Sequence, residues 1–332
     1  MRISFGLPEN MTQDTIWANN GYGYATRMIM NSLTRLGYDW RENDDSADVE
    51  LWFDQPRFWR PSKDKYVVGY HPWESTLLPD GWADVMNQCD EIWTPSPIIA
   101  DWYTRYAGVT RPVYVFEHGV SPAWTPYGRR RPVEDKFKFF HIGQEAVRKG
   151  FKETSASYRR VFGYGSDTEL NFKFRNEGMG ISGLFGINYI QGDFDLEDLI
   201  RMYHENHVYV YPSWGEGFGL TPLQAMATGM PTITLSSWAP YARFLDPNLT
   251  VDSHLSPPPT EEENPIAGLW RQIHPGMMWR PDLESLDRAM LYSYENYEDC
   301  VAYALEQTDE IREHYDWNRL TEEAFENLKM RL

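Results

Sequence analysis

A short stretch of the chain combines a carboxylate with three glycines and a helix start. Glu216 lies within Trp-Gly-Glu-Gly-Phe-Gly, residues 214–219, directly after an apolar run typical of a buried strand. Glycine adopts positive φ values and lets the backbone approach a ligand closely. Thr221 is a good N-cap and Pro222 a good first helical residue, so we predict a helix from there to about Gly229. The loop amides and the positive end of this helix would converge on one point, where proteins bind anions.

Two adjacent cations follow a second predicted strand. Arg148 and Lys149 come after the apolar run 136–142 and just ahead of a helix predicted to start near Gly150. Because cations are disfavoured at a helix N-terminus, their position needs a reason other than local helix stability. We therefore expect both side chains to meet a negatively charged group.

Strands alternate with helices along most of the chain, which favours parallel, doubly wound α/β sheets. In the first half, the predicted strands are 2–8, 47–53, 65–70, 90–94 and 113–116, with a helix at about 25–36. In the second half they are 136–142, 170–174, 188–190, 208–212 and 231–235. We expect two Rossmann-like domains with parallel sheets facing across a cleft, since open α/β sheets bind ligands at the carboxyl ends of their strands.

The composition changes at residues 121–132, where prolines and three arginines interrupt the alternation. We place the domain boundary there, with residues 1–128 as the N-terminal domain and 129–314 as the C-terminal domain. The last predicted helix, within 315–332, is expected to pack back on the first domain.

The composition excludes several classes of protein. The formal charge of −18 argues against strong binding to duplex nucleic acid, and no apolar run is long enough to span a bilayer. Cys89 and Cys300 lack the spacing of a zinc site, so two free thiols are expected. We expect a soluble, cytoplasmic protein whose oligomeric state the sequence leaves open.

The second half resembles a known family through three segments: 140–150, 191–199 and 209–231. They resemble the retaining, nucleotide-sugar-dependent glycosyltransferases of the GT-B fold, specifically family 4 (glycosyl transferases group 1). The last segment carries most of the likeness, with Glu-Gly-Phe-Gly-Leu followed by Ala-Met-Ala-x-Gly-x-Pro. The first half matches more loosely, through 20–23, 73–74, 90–96 and 118–120.

The resemblance implies a UDP- or GDP-sugar as co-substrate, with no further cofactor, and a hydroxyl-bearing acceptor. It assigns Lys149 to the donor diphosphate and Glu216 to hydroxyls of the donor sugar. The family's arginine after the strand glycine falls on Gln144 here, and Arg148 offers the missing charge. The donor-binding residues it implies are Gly21, Gly23, Gln144, Gly217, Phe218, Gly219, Leu220, Thr221 and Gln224.

Gln224 stands where the family has its second glutamate, which grips the nucleotide ribose. Gln keeps a carbonyl acceptor but loses the charge, so weaker hydrogen bonds to the ribose are expected. An alternative is that Thr221 and Gln224 form a capping box, in which the Gln side chain returns to the N-cap amide.

Further candidates lie in the first half. Gly21 and Gly23 precede the first helix, as a ligand-approaching loop or as a simple turn. His71 and Glu74 stand just past a predicted strand. The resemblance implies that His71 contacts the reacting sugar and that Glu74, with Trp73, lies on the acceptor side, against the alternative of packing roles.

The sequence Asp193-Phe-Asp195 has the form of a metal-binding Asp-x-Asp motif, but helix capping is the simpler account, so we predict no metal requirement. Two rival functions remain open. The two glutamines favour a non-catalytic nucleotide-sugar or glycan-binding relic. A glycosyltransferase acting on a hydroxymethylated nucleobase in DNA is disfavoured by the acidic charge.

Overall fold

The computed structural model describes residues 1–7, 21–130, 135–143, 147–163, 167–174, 186–260, 262 and 271–332. Gln144, one of the predicted donor-binding residues, lies outside these described residues.

The chain divides into two compact units. The first comprises Met1–Ser121, Arg271–Met277 and Tyr315–Leu332, and the second comprises Pro122–Trp270 and Met278–His314. The chain therefore leaves the first unit at Ser121, earlier than the predicted residue 128. The chain returns to the first unit at residues 271–277, which the sequence did not indicate, and again with its last helix.

The first unit is built on one parallel sheet. Its strands are β1 (Arg2–Phe5), β2 (Asp39–Glu42), β3 (Val49–Phe53), β4 (Tyr66–Tyr70), β5 (Glu91–Thr94) and β6 (Val113–Val115). Its helices are α1 (Gly21–Arg35), α2 (Trp82–Met86), α3 (Pro97–Arg105) and α9 (Trp317–Arg331), with a 3₁₀ turn at Pro56–Phe58. The strand order is β2-β1-β3-β4-β5-β6, and all pairs are parallel. β3 and β4 are buried along almost their whole length, as expected for central strands covered on both faces.

The second unit repeats this plan. Its strands are β7 (Phe137–Ile142), β8 (Thr168–Phe174), β9 (Ile187–Gln191), β10 (Val208–Tyr211), β11 (Thr232–Leu235), β12 (Thr250–Val251), β13 (Ser253–Ser256) and β14 (Met278–Pro281). Its helices are α4 (Phe151–Phe162), α5 (Leu196–Glu205), α6 (Leu220–Ala227), α7 (Leu283–Glu295) and α8 (Tyr297–His314), with 3₁₀ turns at Val147–Lys149 and Ala242–Phe244. The parallel sheet runs β12-β11-β10-β7-β8-β9, and β13 pairs with β14 antiparallel. The predicted α/β class with two parallel sheets is confirmed.

Helix α1 begins earlier than the sequence suggests. Gly21 and Gly23 were expected in a loop before a helix at about Ala25, but both lie in the first turn of α1. The loop prediction for these glycines is wrong, because tertiary packing of the helix outweighs the weak helix propensity of glycine. The helix ends as predicted, with Gly37 at a φ of 78°.

The C-terminal helix α9 packs against α1 and anchors itself through a buried ion pair. The Arg331 Nε and Nη2 atoms each donate to a carboxylate oxygen of Glu91 at 2.8 Å. Glu91, on β5, is only 1% exposed and also accepts from Tyr66 Oη at 3.0 Å and Trp93 Nε1 at 2.6 Å. Four donors therefore satisfy this carboxylate, two on each oxygen.

Two further predictions can be compared with the described residues. Cys89 and Cys300 are both buried free thiols, as expected from their spacing. Of the helices in the described ranges, none combines the length and apolar character that crossing a bilayer requires.

Candidate functional site

Two neighbouring strands of the second unit bring the predicted cations and the predicted carboxylate together. β10 pairs with β7 in parallel, so the segments that follow them leave the same edge of the sheet. Arg148 and Lys149 lie in the 3₁₀ turn after β7, and Glu216 lies in the glycine-containing loop after β10. The residues predicted from two separate motifs thus meet at the carboxyl ends of adjacent strands.

Glu216 is the centre of the resulting cluster. Its Oε1 atom accepts from Arg148 Nη1 at 2.7 Å and from Lys149 Nζ at 2.8 Å. The same oxygen accepts from Tyr211 Oη at 2.9 Å and from Ser213 Oγ at 2.6 Å. Its Oε2 atom accepts from Lys149 Nζ alone among the described residues, at 2.9 Å. The carboxylate is thus bound firmly through one oxygen and lightly through the other.

The charges in this cluster reinforce one another. Burial alone would raise the pKa of Glu216, but the positive charges of Arg148 and Lys149 outweigh it and lower the pKa to about 2. Burial, and then the charge of Glu216, raises the pKa of Tyr211 well above its usual value. Glu216 is therefore ionised at neutral pH, and Tyr211 is a neutral hydrogen-bond donor.

The two segments that carry the cluster are bound to each other through their backbones. The Trp214 amide donates to the Arg148 carbonyl at 2.8 Å, and Arg148 Nη1 donates to the Gly215 carbonyl at 2.7 Å. Gly150 has a φ of 77°, and a Cβ there would lie 2.5 Å from the Pro212 carbonyl oxygen. Only glycine fits this position without moving the backbone, which sets how closely the two segments approach.

Buried aromatic residues support the glycine loop from beneath. Trp238 Nε1 donates to the Ser213 carbonyl at 2.8 Å, and Tyr241 Oη donates to the Gly219 carbonyl at 2.7 Å. Phe218 is 2% exposed and packs edge-on against Tyr241, with ring centroids 5.7 Å apart. The sequence did not single out the two supporting aromatics, because nothing in their local pattern indicates what they contact.

Tyr211 and Ser213 were also missed, although a signal for both exists. Tyr211 is the last residue of β10, and Ser213 follows it by two residues. Polar groups at the carboxyl end of a parallel strand are candidates for a site in any open α/β sheet.

Helix α6 begins at Leu220, with Gly219 as its N-cap at a φ of 84°. The predicted N-cap at Thr221 is therefore wrong. A Cβ at residue 219 would lie 2.4 Å from Tyr241 Oη, which explains why a glycine, and not Thr221, stands at the cap. Thr221 instead accepts a hydrogen bond from Tyr209 Oη at 2.9 Å. Gly215 and Gly217, also expected to adopt positive φ, do not do so.

The start of α6 decides between the two interpretations of Gln224. This residue is the fifth of the helix, too far along to cap the N-cap residue Gly219, so the capping-box alternative is wrong. The side chain is half-buried and makes no hydrogen bond to a described residue. Its amide is therefore available for another partner.

In the first unit, the start of α1 lies beside the end of β4. Tyr22, between Gly21 and Gly23, directs its hydroxyl at the Pro72 carbonyl at 3.4 Å. The predicted glycines and the predicted acceptor-side residues of this unit are therefore neighbours, although the glycines belong to a helix.

His71 follows β4 directly, as predicted, but it is fully buried. Tyr103 Oη lies 3.1 Å from the His71 carbonyl oxygen and 2.7 Å from Nδ1, so one hydroxyl bonds both the backbone and the ring of His71. Burial, and then the nearby His274, lowers the pKa of His71 to about 3. The ring is neutral and packed against Trp59, Trp73 and Trp82. Contact of His71 with a sugar stays a prediction.

Trp73 and Glu74 surround a residue that the sequence did not indicate, His274. The Trp73 indole stacks on the His274 ring with centroids 4.6 Å apart, and His274 Nδ1 lies 3.9 Å from Glu74 Oε2. Glu74 is partly exposed, at 18% of its side chain, whereas His274 is 3% exposed. Glu74 can thus meet a ligand, and His274 cannot do so directly.

The Asp-x-Asp sequence has a structural role. Asp195 is the N-cap of α5, and its side chain accepts from the Asp198 amide at 2.8 Å, as expected for helix capping. In the parts of the chain that the structure describes, no three His, Cys, Asp or Glu side chains group as metal ligands would.

Comparisons with known proteins agree with this architecture. The family model "Glycosyl transferases group 1" matches residues 159–252. No curated protein matches the chain. Sucrose-phosphate synthase from Thermosynechococcus elongatus has a similar structure, with a TM-score of 0.71 at 12% identity, over 99% of this chain and 98% of its own.

Two further solved structures are similar over nearly their whole length. Anabaena HepE, solved with UDP and glucose, has a TM-score of 0.65 at 10% identity, over 99% of this chain and 100% of its own. WaaG, a glycosyltransferase of lipopolysaccharide biosynthesis, has a TM-score of 0.61 at 13% identity, over 97% and 98%. At such low identity, these structures establish the fold. The chain has the GT-B fold of these glycosyltransferases, and its residues 159–252 match group 1 of that class.

Proposed function

We propose that this protein transfers a sugar from a nucleoside diphosphate sugar to a hydroxyl-bearing acceptor, with retention at the anomeric carbon. The observation that carries the proposal is the convergence of Arg148, Lys149 and Glu216 at the carboxyl ends of β7 and β10. This group lies beside the N-terminus of α6, which adds the positive end of a helix dipole to the two cations.

Negative charge grows on the departing diphosphate as the bond to the sugar breaks. Fixed donors and cations aimed at that charge supply much of the catalysis in such reactions. Lys149 and Arg148 serve this role, with the backbone amides at the start of α6. Because Glu216 and the backbone hold both cations in place before the reaction, little reorganisation is needed in the transition state.

Glu216 has a second role in this proposal. Its Oε1 atom is occupied by four donors, but Oε2 accepts a single hydrogen bond among the described residues. Oε2 accepts a hydroxyl of the donor sugar. Gln224, half-buried without a side-chain hydrogen bond to a described residue, accepts from the ribose, and Gly217 to Thr221 line the donor.

The reaction proceeds by front-face attack. The bond between the anomeric carbon and the β-phosphate oxygen breaks, a bond forms to the acceptor oxygen on the same face, and the departing phosphate oxygen takes the acceptor proton. On the acceptor side, Glu74 and Trp73 orient the hydroxyl, His71 contacts the sugar, and Gly21 and Gly23 lie near the phosphate or acceptor. No metal ion takes part.

The donor nucleotide is UDP or GDP. Support for UDP comes from HepE, which was solved with UDP and glucose. The first experiment is a thermal-shift comparison of UDP, GDP and ADP sugars, because a ligand of the folded state raises its apparent stability. Release of the free nucleoside diphosphate in the presence of acceptor then tests transfer, and an unchanged rate with EDTA tests metal independence.

A second candidate is a binding protein without turnover. Gln224 favours it, because the family's charged partner for the ribose is replaced by a neutral amide. A nucleotide sugar that raises the melting temperature but yields no free UDP or GDP, with any acceptor, would support this candidate and contradict the enzyme.

A further inference from the structure

A seven-residue segment belongs to the first unit although the residues before and after it in the chain belong to the second. Arg271–Met277 belongs to the first unit, whereas Pro122–Trp270 before it and Met278–His314 after it belong to the second. The segment packs on the loop that follows β4, residues 71–77. This loop carries Trp73 and Glu74, the predicted acceptor-side residues.

The backbones of the segment and the loop are hydrogen-bonded to each other. The Thr76 amide donates to the Met277 carbonyl at 3.0 Å, and the Met277 amide donates to Thr76 Oγ1 at 2.8 Å. Gly276 lets the two backbones approach, since a Cβ there would lie 2.3 Å from the Leu77 amide nitrogen. These contacts therefore set the distance between the backbone of the segment and that of the loop.

The side chain of His274 adds two contacts. Its ring covers the Trp73 indole at a centroid distance of 4.6 Å and an interplanar angle of 29°. The same indole also packs against Trp82, at 5.1 Å, and against the fully buried His71, at 5.4 Å. The second contact of the His274 ring is with Glu74, whose Oε2 atom lies 3.9 Å from His274 Nδ1.

The start of the loop is held by other parts of the unit, since the His71 amide donates to the Trp93 carbonyl at 2.9 Å and the Trp73 ring packs on Trp82. At the end of the loop, Trp73 Nε1 and Ser75 Oγ both donate to the Leu77 carbonyl, at 2.8 and 3.0 Å, which closes a local turn. The contacts with Gly276 and Met277 tie this turn to the segment.

We propose that the 271–277 segment is a specificity-determining element, in which His274 is a positioning residue that packs on the buried Trp73 and holds Glu74 where it meets the acceptor. That this loop meets an acceptor rests on the proposed function, whereas the positioning of the loop by the segment does not. His274 itself is too buried to touch a substrate, so it acts through its two neighbours.

The first test needs no substrate. Amide hydrogen exchange is compared between wild type, His274→Ala and Gly276→Ala, with Ile273→Ala as control, because Ile273 is in the same segment but 45% exposed. We expect exchange in residues 73–77 to rise about tenfold in the first two variants and to stay unchanged in the control. Unchanged exchange in both variants would overturn the proposal.

The second test separates positioning from packing. His274→Phe keeps a ring over Trp73 but loses the nitrogen facing Glu74, whereas His274→Ala loses both. With UDP-glucose as donor and a panel of mono- and disaccharides as acceptors, transfer is measured relative to hydrolysis. We expect this ratio to fall about 10- to 100-fold in His274→Ala and less in His274→Phe, with hydrolysis and UDP affinity unchanged.

Equal losses of transfer and hydrolysis in His274→Ala would mean a general folding defect and would contradict a positioning role. If wild type neither transfers nor hydrolyses UDP-glucose, the failure concerns the proposed function for this donor. The exchange measurement then decides whether the segment positions the loop.

Discussion

Two buried glutamates of this protein are bound in different ways. Glu91 of the first unit is 1% exposed and receives two donors on each oxygen. Arg331 supplies one of the two donors on each oxygen. Glu216 of the second unit is 7% exposed and receives four donors on one oxygen and one on the other. Glu91 lies within a strand, whereas Glu216 lies in a loop between glycines.

The difference distinguishes a carboxylate that closes a structure from one that is open to a ligand. The two-pronged contact of Arg331 with Glu91 uses the full geometry of both groups and leaves no acceptor position open. In Glu216, four hydrogen bonds hold Oε1 in place, whereas Oε2 accepts one from the described residues and can accept another. Both carboxylates are buried, so the distribution of donors is the informative feature.

The largest expected effect is on turnover, when Lys149, the cation bound to Glu216, is replaced. Lys149→Met keeps the length of the side chain but removes its charge and both hydrogen bonds to the carboxylate. We expect turnover to fall about 100- to 1000-fold, because the charge on the departing diphosphate loses a fixed cation. Free UDP or GDP is measured at saturating donor. Lys152→Met, at an exposed neighbouring position, is the control, and near-normal turnover in Lys149→Met would contradict the assignment.

The second effect is on stability at Glu91. Glu91→Gln leaves the partly exposed Arg331 beside a neutral amide, and we expect the free energy of unfolding to fall by about 2 kcal/mol, as when hydrogen bonds to a charged group are lost. Turnover per folded molecule should not change, in contrast to Glu216→Gln. Denaturant titration and activity are measured on the same samples. Lys329→Met is the control, because it breaks an exposed pair with Glu326 and should leave the free energy of unfolding nearly unchanged.

The third effect is a pH dependence that separates Glu216 from the buried histidines. Burial lowers the pKa values of His71, His118 and His141 from 6.5 to about 3, so their contribution to stability is lost as the pH falls from about 6.5 towards 3. The pKa of Glu216 is lowered from 4.5 to about 2, so its contribution is present above about pH 4.5 and is lost below it.

Glu216→Gln should therefore remove the loss of stability below about pH 4.5, as seen in acid denaturation curves. A smaller change is expected at higher pH, because the charge of Glu216 acts on His141. A variant curve that matches wild type below pH 4.5 would contradict the lowered pKa of Glu216.

The smallest expected effect concerns Gln224, which stands where the resembled family has a glutamate. Gln224→Glu restores a charged acceptor, and we expect the affinity for UDP to rise about fivefold, since a charge-assisted hydrogen bond is worth about 1 kcal/mol more than a neutral one. Gln224→Leu should weaken binding. Calorimetric titration with UDP measures both, and equal affinities in the three proteins would place the ribose away from this residue.

The sequence predicted the helices and strands better than the contacts between them. Lys149 and Glu216 could be found from their local motifs. Their contact joins residues far apart in the chain, and it depends on β7 and β10 being neighbours, which an alternation of strands and helices does not specify. The same holds for Glu91 and Arg331, whose pairing requires α9 to return to the first unit.

Local backbone geometry was the other source of error. Thr221 fits the N-cap pattern, but the helix begins one residue earlier, at Leu220, with Gly219 as its cap. The Tyr241 hydroxyl and the Trp238 ring leave no room for a side chain at residue 219. Nor does the sequence around His274 indicate that it returns to Trp73, because that contact depends on the path of the 271–277 segment.

The return of α9 to the first unit also has a consequence for the synthesis of the chain. The sheet of the first unit is complete by Val115, yet Arg331 is made only after the whole second unit has been translated. At a ribosomal rate of 5 to 20 residues per second, the interval is roughly 10 to 40 s. During this time the Glu91 carboxylate has its donors from the sheet, Tyr66 and Trp93, but not the guanidinium of Arg331. The first unit therefore acquires its last described ion pair only after the second unit has been translated.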